Sequence, residues 1–467
     1  MPGKKRFAQV GLGGRAWMCL RAVLETYADH CEMVGLCDSN EGRLRRTLEY
    51  AKSKGSKALG YSDRDFDRMI AEQKPDVVIV TTKDCWHDYY ICRAMEMGCD
   101  AITEKPMTTD EMKCQRIIDT IAKTGKGCRV TFNYRYAPPA TQIKDLLMSG
   151  VIGDVFSLDF HWLLDTHHGA DYFRRWHRNK ENSGGLMVHK ATHHFDLINW
   201  WLSAAPVSVS AMGHRKFYTP KMADRYGLKN RSERCLDCPE AGKCAFHLDL
   251  RTTGHMKELY LDNEEYDGYF RDRCVFSGLI DIEDSMQVIA SYNTGVKLSY
   301  SLNAFMPWEG HIVSFNGTKG RLEHKAEETV YISGDGTVPG ELLAEGTTTR
   351  IFPHFKEAYS VEVWQGEGGH GGGDPRLLDD LFSPDPPADK YKRAADQRAG
   401  AYSILTGIAA NKSMATGQAI NIDDLVKGIG LPDYPAMPSP DEPIPMAKEQ
   451  AKVVSPEYAR QLRNKKS

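Results

Sequence analysis

The run Ser183-Gly-Gly-Leu-Met-Val-His-Lys-Ala-Thr-His-His-Phe-Asp196 places His189, Lys190, His193 and Asp196 close together in the chain. If the chain is helical from Leu186, His189 and His193 lie one turn apart on one face, and Asp196 continues the same stripe. Imidazole titrates near neutral pH and suits proton transfer, so the stretch reads as a catalytic helix. Two other readings use the same residues. Ser183 and the glycines suit a helix start with locally satisfied histidines, and the histidine spacing also suits one metal ion.

Such a helix needs a partner surface. Phe7–Val10, then Gly11-Leu-Gly-Gly-Arg-Ala16 and a helical pattern, read as strand, glycine turn and helix. Gly11 permits the tight turn, Gly13 lets the backbone approach a pyrophosphate, and Ala16 keeps helix and strand close. A second strand, Met33–Leu36, leads to Asp38, a carboxylate positioned to hold a ribose 2′-hydroxyl, which favours NAD over NADP. A flavodoxin-like fold without a dinucleotide is the alternative. Val77–Val80 is continuously apolar, as a strand covered on both faces should be, and Thr81 and Thr82 follow at its carboxyl end. Ala101–Thr103 runs into Glu104-Lys105-Pro106, where proline turns the chain at the sheet edge and leaves Lys105 at the crevice.

These motifs, with His87, Asn133-Tyr134-Arg135 and the Gly184–Asp196 helix, resemble in order the glucose-fructose oxidoreductase, inositol dehydrogenase and rhizopine-catabolism (Gfo/Idh/MocA) family. The resemblance covers roughly residues 6–330 and, more weakly, the helix near 394–414. It implies cofactor contacts from Gly11, Gly13, Gly14, Arg15, Ala16, Asp38, Thr81, Thr82, His87, Glu104 and Lys105. It also implies that Lys105 lies between nicotinamide and substrate, and that the later helix presents an Asp, a His four residues on and another Asp. His193 and Asp196 match that pattern, whereas His189 replaces the first acid and has Lys190 beside it. The expected fold is α/β, an N-terminal doubly wound parallel Rossmann sheet plus a C-terminal α/β domain with an open-faced, mostly antiparallel sheet. The expected divisions are 1–130, 131–425 with a Cys-rich insertion around 230–275, and a Pro-rich arm at 426–467.

In the second domain, Val155–Trp162 alternates with period two, and so do the runs either side of Asn293-Thr-Gly295 and of Asn316-Gly317, which read as hairpins. Sugars are gripped by aromatic faces and charged hydrogen-bonding groups, so Tyr172, Arg175, Trp176 and His177 are candidate substrate contacts, with Arg135, Lys190 and Asp196. Gly366–Asp374 is either a close approach that brings His370 to the site or a plain linker. Cys235, Cys238, Cys244 and Cys274 gather in a polar segment that needs a staple. They suggest structural zinc, with an iron–sulfur cluster or free thiols as alternatives. The prolines from Leu431 to Pro445 suggest an extended arm that wraps a neighbouring subunit, as in a dimer or tetramer.

A net charge of −3 on 467 residues offers no electrostatic case for nucleic acid or an anionic membrane. Lys4-Lys5-Arg6 leads directly into a strand, and no apolar run spans a bilayer, so a cytoplasmic protein with a small carbohydrate or cyclitol substrate is expected. Three functions remain: an NAD-dependent sugar or cyclitol dehydrogenase, an NAD-dependent glycosidase working through transient oxidation, or a non-catalytic sugar sensor. Lys105 and His193 argue against the sensor. For a dehydrogenase, His193 is expected as base, Lys105 as electrostatic stabiliser of the reacting oxygen, and His189 as proton relay.

Overall fold

The computed structural model describes residues 3–252, 254–329, 340–386, 388–444 and 446. Six parallel strands form the first sheet, in the order β3-β2-β1-β4-β5-β6. They are β1 Lys5–Val10, β2 Cys31–Asp38, β3 Leu59–Ser62, β4 Val77–Val80, β5 Asp100–Thr103 and β6 Cys128–Val130. The order reverses direction between β1 and β4, which opens a crevice at their carboxyl ends, next to Gly11 and Thr81. Every residue of β4 is buried, as helices on both faces require. The eight cysteines before Arg129 are free thiols, all buried except the half-buried Cys85.

Nine strands form the second sheet, in the order β14-β13-β12-β11-β7-β10-β9-β8-β15. The central strands are β7 Val155–Asp165, β9 Ser285–Tyr292, β10 Lys297–Met306, β11 Glu309–Gly317 and β12 Gly320–Glu328. The flanking strands are β8 Pro206–His214, β13 Thr348–Pro353, β14 Tyr359–Val361 and β15 Ile420–Asn421. All pairs are antiparallel except β7 with β10. Both expected hairpins form, β9 with β10 and β11 with β12, but the second runs to Gly317 and turns at Thr318-Lys319 rather than at Asn316-Gly317. Helices Ala191–Leu202 and Gln397–Thr416 pack together between the sheets.

One expectation is corrected by the structure, and two further segments are placed by it. The helix from Leu186 is broken: one turn, Leu186–His189, ends at Lys190, and a second helix begins at Ala191. The Gly366–Asp374 run is no free linker, because an added Cβ at Gly373 would lie 2.3 Å from the Asn133 carbonyl oxygen. That close approach seats the Gly369–Phe382 helix on the first domain, where Phe382 meets Phe7 edge-on at 5.3 Å. The proline-rich arm begins by packing on its own chain: Ser203 donates to the Pro435 carbonyl at 2.7 Å, and Arg135 lies 5.6 Å from the Tyr434 ring centroid. Pro445 and residues 447–467 lie outside the described residues. Among the described residues no helix is long and apolar enough to cross a membrane.

Candidate active site

The glycine turn is held from behind. Gly11 takes φ +83°, and a Cβ there would lie 2.6 Å from the Thr82 amide nitrogen, so only glycine fits. Thr81 donates its hydroxyl to the Gly11 carbonyl at 2.5 Å, which makes it a brace of the turn. Asp38 closes β2: its Oδ2 accepts from the Leu12 amide at 2.6 Å, and its Oδ1 accepts from the Asn40 amide at 2.7 Å and from Arg43 at 3.2 Å. In front of the turn, the Gly14 N–H points at the Tyr260 hydroxyl, 3.0 Å away. A Cβ on Gly13 would meet nothing nearer than that hydroxyl, at 3.8 Å. The turn is a cradle of the kind that suits a pyrophosphate, and here its Gly14 donor is engaged by the Tyr260 hydroxyl.

Tyr260 belongs to the insertion, which reaches the first domain at several further points. Asn40 donates to the Asn263 carbonyl at 2.9 Å, and Arg43 pairs with Asp267 at 2.6 Å while holding Asp38. Gly42 accommodates this docking, because any Cβ there would overlap the Asn263 side chain. Sequence reasoning missed Tyr260, Asn263 and Asp267, for nothing local marks a segment that docks over such a distance.

At the carboxyl edge of the first sheet, Lys105 donates to the His189 carbonyl at 3.0 Å. Burial lowers its pKa to about 7, against the pull of Asp84, with Lys190 adding to the lowering. Asp84, two residues past Thr82, was also missed, although an acid just beyond a strand's carboxyl end was a readable signal. Its Oδ2 is 2.5 Å from His189 Nδ1. Burial pushes the Asp84 carboxyl up and the His189 imidazole down. A carboxylate on Nδ1 fixes the tautomer that leaves Nε2 as acceptor. His193 stands at the start of the next helix, and its buried Nδ1 has no hydrogen-bond partner among the described residues. Burial, with Lys105 and Lys190 nearby, lowers its pKa as well.

The rings around this centre include the expected aromatic stretch. His177 lies 4.1 Å from the His189 ring, Trp176 stacks on His177 at 3.6 Å, and Tyr172 stands 5.4 Å from His189. Tyr172 is held by His168, itself hydrogen-bonded to Glu309 at 2.9 Å. His370 reaches the cluster with its ring 5.4 Å from Tyr134 and 6.3 Å from His193, steadied by Asp374 at 3.0 Å. Lys190 lies over Trp162, 4.8 Å from its ring, and burial lowers its pKa against the pull of Glu309 and Glu328.

Other expected contacts are turned elsewhere. Arg135 and Asp196 form a doubly hydrogen-bonded pair at 2.7 and 2.6 Å, each side chain only 1 % exposed, so they are spent on each other rather than offered to a substrate. His87 bridges the Pro106 and Thr82 carbonyls at 2.8 and 3.3 Å, bracing the two strand ends. Thr82 bonds the Lys83 carbonyl with its hydroxyl. Arg15 is taken by Glu104 at 2.8 Å. The buried Ala16 closes the turn by donating its amide to the Gly13 carbonyl. Arg175 pairs with Asp171 at 3.3 Å, behind the aromatic ring cluster. The zinc expectation finds no support here: among the described residues no three Cys, His, Asp or Glu side chains form a ready site for one metal ion.

Residues 5–132 match the model described as the oxidoreductase family, NAD-binding Rossmann fold, and residues 144–422 match the oxidoreductase family C-terminal alpha/beta domain. The chain belongs to the Gfo/Idh/MocA oxidoreductase family. Its relatives include the Bacillus subtilis (strain 168) protein YteT, named as an oxidoreductase, 35 % identical over 90 % of this chain and 98 % of that one. Glycosyl hydrolase family 109 protein 2 of Akkermansia muciniphila is 32 % identical over only 33 % of each chain. The fold is that of the WlbA dehydrogenase of Chromobacterium violaceum, solved with NADH and UDP-GlcNAcA, with a TM-score of 0.60 and 18 % identity over 90 % of this chain and 97 % of that one. Within this Gfo/Idh/MocA protein the first domain is therefore an NAD-binding Rossmann domain.

Proposed function

We propose that this protein oxidises a secondary hydroxyl of a sugar, cyclitol or glycoside with NAD. The observation that carries this reading is the convergence of Lys105, the His189–Asp84 pair and His193 at the carboxyl edge of the first sheet, beside the glycine turn. NAD supplies the hydride acceptor, with Gly11–Ala16 at its pyrophosphate and Asp38 at its adenosine ribose. Asp38 favours NAD over NADP, and Arg43 is tied up by two carboxylates instead of awaiting a 2′-phosphate.

Loss of hydride from a carbinol carbon requires loss of the hydroxyl proton, so a base must reach that oxygen. The Asp84 contact moves this role from His193 to His189, whose Nε2 is the oriented acceptor. Lys105, as an ammonium in a dry site, stabilises alkoxide character on the same oxygen. His193 hydrogen-bonds the reacting or adjacent hydroxyl. Trp176, Tyr172, His177 and His370 provide the ring surfaces and polar edges that suit a carbohydrate.

A second reading, cleavage of a glycoside through transient oxidation without net NADH, is favoured by one observation, the insertion closed over the cofactor turn. An enclosed cofactor suits a cycle in which it is reduced and reoxidised in place. Incubating the protein with NAD and a panel of sugars, cyclitols and glycosides, while following NADH absorbance and product chromatography, separates the two. Net NADH with a keto product supports the dehydrogenase, and glycoside cleavage without NADH supports the second reading. A chain that binds a sugar but produces neither change refutes both.

A further inference from the structure

We propose that Cys235, Cys238, Cys244 and Cys274 hold an iron–sulfur cluster. The four thiols come from two separate segments and line one cavity of about 20 Å³, together with Phe246 and His247. That exceeds the ~10–15 Å³ a single water needs. His247 is not the natural fifth ligand, because its Nε2 is engaged by the Cys235 carbonyl at 3.1 Å. Glu240 also lines the cavity, with its Oε1 accepting from the Asn230 amide at 3.1 Å, and beside it stand four cysteines, a donor set that iron–sulfur clusters use.

Two of the sulfurs accept hydrogen bonds from their surroundings. The Ser232 N–H donates to Cys238 Sγ at 3.5 Å. Arg174 adds a guanidinium 3.8 Å from Cys235 Sγ. A backbone donor on one sulfur and a buried guanidinium on another are surroundings that suit metal-bound thiolates. The four sulfurs do not close on a single ion as they stand. A polynuclear core occupies the centre and keeps its thiolates further apart than one ion would, which fits sulfurs arrayed around a cavity.

The insertion also lacks other means of support. Between β8 and β9 its helices are no longer than 6 residues. Its two cysteine segments are joined by an isolated bridge between Arg234 and Arg273, with Cys235 donating its amide to the Asp272 carbonyl at 2.8 Å and Cys274 donating its amide to the Glu233 carbonyl at 2.9 Å. A cluster at this junction would fix Arg271, which meets Asp171 at 2.5 Å and lies 5.9 Å from the Tyr260 ring, the residue on the glycine turn. Cluster binding thus supplies folding free energy to a segment with little core of its own. The proposal does not depend on the sugar chemistry.

The test is anaerobic purification of the full chain from iron-supplemented cells, with iron, zinc and acid-labile sulfide determined per chain. Iron and sulfide in comparable amounts, a brown visible absorbance, and loss of both in Cys238→Ser but not in Cys85→Ser are expected. If Cys238→Ser fails to fold, the wild-type protein stripped with chelator and reconstituted with ferrous iron and sulfide must regain the absorbance and the same ratio. Zinc without sulfide, or a folded protein with four reagent-titratable thiols that takes up no iron on reconstitution, overturns the proposal.

Discussion

At the glycine turn, backbone conformation builds the cofactor site: Gly11 at φ +83°, the Thr81 brace and the strand ends around them leave little to side-chain choice. A few ångströms away the insertion contributes to the same site mainly through side chains, with Tyr260 on the Gly14 amide and Asp267 on Arg43, and with the Asn263 carbonyl accepting from Asn40. The first arrangement tolerates almost no substitution at its centre, whereas in the second the Tyr260 hydrogen bond and the Asp267 ion pair can be removed one at a time. A cofactor site can therefore be essential on one wall and adjustable on the other.

The sharpest test of this contrast lies where the rigid wall meets the chemistry. Lys105→Ala should lower kcat/KM by the equivalent of about 2–4 kcal/mol, the usual loss when a charge stabiliser of the reacting oxygen is removed. NAD affinity should change far less, as fluorescence titration would show. The same lysine sets the expected pH profile. Its pKa is lowered to about 7, so its charge is present below that pH and lost above it. Oxidation should fall above pH about 7 by roughly tenfold per unit, and Lys105→Ala should abolish that limb. The His189 limb should appear only below the ordinary histidine range, because burial lowers its pKa. An activity that rises through pH 7 would place Lys105 as a base instead.

Gly11→Ala comes next in size. A strained φ with a backbone clash should cost ~1–3 kcal/mol of folding stability, measured by urea denaturation, together with most NAD binding. Tyr260→Phe is the small partner of that experiment. Losing one partly buried hydrogen bond should change NAD binding by about 0.5–1.5 kcal/mol and leave stability nearly intact. If Tyr260→Phe cost as much as Gly11→Ala, the insertion would be an equal wall of the site and the contrast would fail.

That contrast also marks what could be read from the chain alone. The glycine turn, Asp38, β4 and the hairpins are announced by local spacing, because their geometry is dictated within a few residues. The contacts that define the chemistry are not local. Asp84 meets His189 across 105 positions, and Arg135 meets Asp196 across 61. Helical periodicity put His189, His193 and Asp196 on one stripe, but the break at Lys190 reorients the first of them and Arg135 captures the last. The cysteine spacing pointed to a gathering of thiols, while their arrangement around a shared cavity emerges only from the packing of the insertion.

The most direct test of the central claim is a single-turnover experiment. Protein loaded with NAD is mixed rapidly with a substrate from the panel, carrying hydrogen or deuterium on the carbinol carbon, and nicotinamide absorbance is followed. The account predicts that reduced nicotinamide forms within one turnover, more slowly from the deuterated substrate and far more slowly in His189→Gln and Lys105→Ala. Product formation with no reduced nicotinamide at any time and no isotope effect would contradict it.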